Sequence, residues 1–103
     1  MAAAPPFVSY SSASIVDVPA AAWPDVYASL QALKAHVQEY PGCQRLDVFA
    51  AVHEDGARVH CYTTWDSPEQ LEVFLERGYT FERMLDDVAD LRVARSGVME
   101  KIF

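Results

Sequence analysis

Positive charge is scarce in this chain. Lys and Arg number eight among 103 residues, against fifteen Asp and Glu, for a formal charge of −7. Binding to a nucleic-acid backbone rests on clustered cations, and these are scattered, so no nucleic-acid partner is expected. Cysteine is nearly absent too. Cys43 and Cys61 are too few for a disulfide scaffold and lack metal-ligand spacing, so Cys43 reads as a small hydrophobe in a strand, Cys61 stays open, and no metal is expected. No apolar run approaches the roughly 20 residues that span a bilayer, and Met-Ala-Ala-Ala-Pro-Pro has neither the basic start nor the apolar segment of a secretory signal. No membrane partner is expected, and the cytoplasm is the expected location. Glycine is low at four, while 51% of residues are hydrophobic, which excludes disorder except at the ends. Residues 1–6 are expected to be a disordered tail and residues 7–103 one folded domain.

What is present centres on residues 46–67, LDVFAAVHEDGARVHCYTTWDS. Asp55-Gly56 is a hairpin signal, because a two-residue type I′ turn needs positive φ at both positions. With those two residues as the loop, Val52 opposes Val59, Ala50 opposes Cys61, Val48 opposes Thr63 and Leu46 opposes Trp65. That face is apolar. The other carries Phe49, Ala51, His60 and Tyr62 among charged residues.

Residues 7–18 read as a strand ended by Pro19, with Ser9, Ser11, Ser12 and Ser14 on both faces; some of these hydroxyls are candidates to line a cavity, or else bond to nearby backbone. Residues 21–40 read as an amphipathic helix with Trp23, Val26, Tyr27, Leu30, Leu33 and Val37 at helical spacing. Ser67-Pro68-Glu69-Gln70 is a capping box opening a second helix, which buries Leu71, Phe74 and Leu75 and stops at Gly78 as a left-handed cap. Thr80 caps a third helix carrying Phe81, Met84, Leu85 and Val88, and residues 91–103 form a last strand with a bulge expected at Gly97.

The order β, α, β, β, α, α, β with right-handed crossovers predicts an α+β fold: a ferredoxin-like antiparallel four-stranded sheet, order 4-1-3-2, with helices on one face. The helices are expected to cover the Val52, Ala50, Val48, Leu46 face. The other face holds Phe49, His60 and Tyr62, a composition expected of a sheet-against-sheet homodimer interface.

Pro41-Gly42 leading into the hairpin, Thr64-Trp65-Asp66-Ser67 opening a helix, and the short helix after it resemble the antibiotic biosynthesis monooxygenase (ABM) superfamily over residues 7–103. The resemblance implies a dimeric α/β barrel of two facing ferredoxin-like sheets. It also implies one of several activities. Some members are cofactor-free oxygenases that turn aromatic polyketide phenols or anthrones into quinones in secondary metabolism; others degrade haem, and others have no known activity. The polyketide oxygenases place an Asn four residues before the Trp and a Tyr six after it, where this chain has Cys61 and Leu71, and it contains no Asn at all. The haem-degrading branch ligates iron through a His on the short helix, where this chain has Leu85.

The expected activity is therefore cofactor-independent oxidation of a small aromatic, polyketide-like molecule by O₂. The alternative is a non-catalytic small-molecule-binding or accessory protein of the same fold; an isomerase, a cyclase or a haem-binding protein are weaker alternatives. Such oxygenation needs a group to take the phenol proton and a dry pocket. Trp65 offers a flat wall and one N–H, or else simply anchors the core. Tyr79 sits on a loop that could close over a pocket, and Arg83 could stabilise an oxyanion or pair with Asp86 or Asp87. These three are the candidate catalytic residues. Cys61, Thr63, Tyr10, Ser12, Leu71 and Phe74 are the candidate substrate contacts, with no cofactor.

Overall fold

A computed structural model describes residues 9–91, 93 and 95–101. The elements are β1 (Ser9–Pro19), α1 (Trp23–Gln38), β2 (Cys43–His53), β3 (Gly56–Trp65), α2 (Pro68–Arg77), α3 (Phe81–Ala89) and β4 (Arg95–Lys101). The expected tail at residues 1–6 lies outside the described residues. The strands form one antiparallel sheet in the order β2-β3-β1-β4, the expected ferredoxin-like arrangement, with the helices on one face.

Local signals explain most boundaries. Ser67 is extended and its Oγ accepts from the Gln70 N–H at 3.2 Å, as a helix cap should. The second arm of the capping box differs from expectation: Gln70 Oε1 accepts from the Ser67 hydroxyl at 3.0 Å, a bond between side chains. Thr80 caps α3 in the same way, accepting from the Arg83 N–H at 3.3 Å. Gly78 ends α2 in an extended conformation at φ −81°, not the left-handed one expected. Its side-chain position is occupied by the Phe74 ring, so a Cβ would collide there.

The hairpin register differs from expectation by two residues. His53 pairs with Gly56, so Glu54 and Asp55 form the loop, Val52 opposes Ala57, Ala50 opposes Val59, Val48 opposes Cys61 and Leu46 opposes Thr63. The reason is Gly56. It lies inside the sheet at φ +148°, paired with Pro19, and a Cβ there would strike the Val18 carbonyl oxygen. The turn sits one position earlier, where the Asp55 carbonyl accepts from the Ala20 N–H at 3.0 Å. A shift of two leaves each side chain on its expected face, because strand side chains alternate with period two. The bulge also moves: Gly97 pairs regularly with Ala13, and the irregularity falls between Cys43 and Arg45 in β2.

The core lies between the central strands and the helices. Val16, Val18, Ala57, Val59, Cys61 and Trp65 of β1 and β3 face Val26, Leu30, Leu33, Val37, Leu71, Phe74, Met84 and Leu85. The helices lie on the expected face but cover the β2 row only in part, at Leu46. Val52 is 63% exposed and Val48 36%, because helices of sixteen, ten and nine residues pack over the central strands and give the edge strand only the flank of α1. Trp23 and Tyr27, at the start of α1, lean over this gap.

Candidate functional site

The sheet register builds a polar cluster under the helices. Ser12 lies directly opposite Thr63, and Ser14 opposite Cys61, all on the helix-facing side. Ser12 and Thr63 share a short hydroxyl–hydroxyl hydrogen bond, and Trp65 Nε1–H donates to Thr63 Oγ1 at 2.8 Å. From the helical layer, Glu82 in the first turn of α3 accepts from the Ser14 hydroxyl at 2.5 Å. Ser12, Ser14, Cys61, Thr63, Phe74, Thr80 and Glu82 border a cavity of about 10 Å³, enough for at most about one water molecule. Among the described residues no buried side-chain N or O lacks a partner, so the cluster is satisfied internally.

Cys61 is a buried thiol in this cluster. Burial, and secondarily the nearby Glu82 charge, push its pKa from 9.0 up to about 12. The thiolate is the nucleophilic form, so Cys61 stays inert at neutral pH. The shift has a sign. The unfolded chain loses the Cys61 proton near pH 9 while the folded chain keeps it to about 12, so the stabilising contribution is complete below 9 and declines as pH rises to 12. Cys61→Ala is expected to flatten the alkaline limb of the stability curve, by up to about 1.4 kcal/mol per pH unit in that window. Urea unfolding at pH 8, 9 and 10 measures this, and parallel curves for the two proteins would contradict it.

The structure brings together part of the expected site. Cys61, Thr63, Ser12 and Phe74 border the cavity. Trp65 is 0% exposed and stacks on Phe74 at 5.0 Å, 29° between planes, so it reaches the cavity through Thr63 and not as a wall. Leu71 is core, and Tyr10 is half-buried against the core, opposite Trp65; neither borders the cavity.

Tyr79 does not close over the cavity. Its hydroxyl donates to Asp87 at 3.0 Å and its N–H to His36 Nε2 at 2.9 Å, which pins the ring between α1 and α3. Partial burial and the Asp87 carboxylate raise the phenol pKa, which disfavours the phenolate. Among the described residues Arg83 forms no ion pair with Asp86 or Asp87. Its guanidinium donates to the Gly78 carbonyl and, at 3.1 and 3.2 Å, to those of Leu75 and Glu76, capping the C-terminus of α2. A cation completes hydrogen bonds there that the extended Gly78 leaves open.

Glu82 was missed from sequence. The signal available was its position: one turn before the buried Leu85, on the border of the apolar stripe, where a side chain reaches inward along the helix toward its N-terminus. It looked like an ordinary acidic residue in a helix's first turn.

On the opposite face, Phe49 packs edge-on to Tyr62 at 6.0 Å, and His60 Nδ1 is 3.2 Å from the Tyr62 hydroxyl. Phe49 is 61% exposed, and among the described residues no helix crosses this face. Among the described residues, no three of His, Cys, Asp and Glu stand together as a metal would need, and no helix is long and apolar enough to cross a membrane.

This geometry has counterparts among solved structures. A protein from Nitrosomonas europaea, assigned by its name alone to the antibiotic biosynthesis monooxygenases, superposes with a TM-score of 0.73 at 13% identity, covering 94% of this chain and 93% of that one. The fold is that of the ABM proteins. Rv0793 from Mycobacterium tuberculosis matches at TM-score 0.66 and 15% identity over 89% of this chain and 91% of its own. The heme-degrading protein Rv3592 of the same organism matches at 0.65 and 19% identity over 92% and 95%. No family model matches the sequence, and no curated protein does either.

Haem, which the last of these ABM-fold proteins implies, does not fit the residues present. Leu85 is fully buried where the haem-degrading branch is expected to carry its His ligand, and no His borders the cavity.

Proposed function

We propose that the protein is a cofactor-independent monooxygenase acting on a small aromatic substrate in the space between sheet and helices. One observation supports this reading above the others: a half-buried carboxylate, Glu82, stands beside hydrogen-bonding hydroxyls between sheet and helices. A phenol or anthrone needs only to lose a proton to become reactive toward O₂. Glu82 takes that proton. The carbanion passes an electron to O₂, the radical pair joins through a new C–O bond, the peroxide anion takes the proton back from Glu82, and the hydroperoxide loses water, so that a CH₂ and one O₂ become a C=O and one H₂O. Thr63, held by the Trp65 N–H and by Ser12, supplies a fixed polar group for the substrate oxygen. The cavity holds only about 10 Å³, so substrate entry requires the helical layer to move off the sheet.

Oxygen consumption by the purified protein with an anthrone tests the proposal. Uptake above the buffer rate with quinone formation is expected, and none across a panel of anthrones and naphthols would overturn it. The second reading, a non-catalytic binding or accessory protein, is favoured by the internally satisfied cavity; binding without O₂ uptake would establish it. Turnover without O₂ would instead indicate an isomerase or cyclase.

The protein acts as a homodimer through the helix-free face, with Phe49, His60 and Tyr62 in the contact, in line with its exposed apolar side chains. Phe49→Glu is expected to shift sedimentation from dimer to monomer with the fold retained. A wild-type protein that sediments as a monomer at micromolar concentration would refute this.

A further inference from the structure

We infer that the groove between α1 and β2 is a separate binding site for a small aromatic carboxylate. The groove arises because the helices stop short of the edge strand. Its cavity is about 420 Å³, within the roughly 300–1,000 Å³ of small-molecule sites and far larger than the space beside Glu82. One wall is β2, presenting Leu46, Val48 and Val52. The other is α1, presenting Trp23 and Tyr27, whose rings meet edge-on at 5.7 Å. A flat apolar molecule lying between these walls would cover side chains that are otherwise wet: Tyr27 is 55% exposed.

Charge selects the kind of molecule. Lys34 borders the groove two turns after Tyr27, and no carboxylate does. Among the described residues Lys34 forms no ion pair, so its ammonium is available to a ligand. An apolar slot with one unpaired cation at its rim matches a ligand with an aromatic body and one anionic end, and the carboxylate would take a charge-assisted hydrogen bond from Lys34. The groove lies on the helix side of the sheet, so it stays open when the opposite face is buried against a second copy, and it does not depend on chemistry at Glu82.

Calorimetric titration of the full chain with 2-naphthoate, and with its neutral analogue 2-naphthamide, tests the proposal. Saturable binding of 2-naphthoate is expected, at least about tenfold weaker in Lys34→Gln, with 2-naphthamide changed by less than about twofold. Phe49→Glu should bind 2-naphthoate as well as the wild type does. Val52→Glu, a surface change expected to fold, should abolish binding with the thermal melt unchanged. Absence of binding, or equal binding of both ligands with no effect of Lys34→Gln, overturns the proposal. So does sedimentation in which Val52→Glu alone converts a dimer to a monomer, since a second copy would then occupy the groove.

Discussion

Trp65→Ala is expected to cost about 3–5 kcal/mol of folding stability, the range for removing a large buried aromatic. For a domain of this size that is a large share of a total near 5–15 kcal/mol, and it lowers the melting temperature by about 15–25 °C. Three losses combine. The indole is 0% exposed, so its deletion leaves a cavity in the middle of the core. Its stacking partner Phe74, itself edge-on to Tyr40 at 5.2 Å, loses one wall, which loosens α2 against the hairpin. Thr63 also loses the indole N–H and keeps only its bond to Ser12. Trp65→Phe restores much of the ring contact but not the N–H, so its penalty should fall between wild type and Ala. Urea denaturation of the three proteins measures the order. A loss below about 1 kcal/mol for Trp65→Ala would show that the core reorganises around the gap.

The second large effect concerns Glu82. Glu82→Gln is expected to lower oxygenation by about 10²- to 10⁴-fold, the usual contribution of a positioned general base. The amide keeps an oxygen that can accept from Ser14 and has nearly the same volume, so the fold should persist. The same variant has a readout independent of turnover. It removes the Glu82 charge that helps hold the Cys61 proton, so Cys61 should ionise at a lower pH than in the wild type, seen as thiolate absorbance in an alkaline titration. Arg83→Ala is the contrast: it uncaps α2 and costs stability on the order of 1 kcal/mol, with turnover per folded molecule little changed. Equal activity of Glu82→Gln and wild type would remove Glu82 from the chemistry.

The hairpin illustrates how much was legible in the sequence. Alternation assigned Val48, Val52, Val59, Cys61 and Trp65 to one face and Phe49, His60 and Tyr62 to the other, and the register error of two residues left both sets intact. The turn itself was misplaced, because Asp-Gly favours positive φ in isolation, whereas here Gly56 is used for the close approach of Pro19 and the end of β1. No local pattern encodes that approach. Arg83 shows a similar limit: two helical neighbours suggested a surface ion pair, yet the open carbonyls at the end of α2 lay closer to its guanidinium.

Periodicity, caps and the hairpin signal were enough to determine element order and the helix-bearing face, since each is a local pattern along the chain, and the right-handed crossover rule added the sheet topology. Tertiary structure alone decided the rest. It set Ser12 against Thr63 and Ser14 against Cys61, brought Glu82 from a helix 68 residues away to the Ser14 hydroxyl, and closed the space among them to about 10 Å³. It also left the β2 edge bare beside Trp23, Tyr27 and Lys34. These outcomes depend on how far three short helices extend across a four-stranded sheet, a matter of packing that local patterns do not contain.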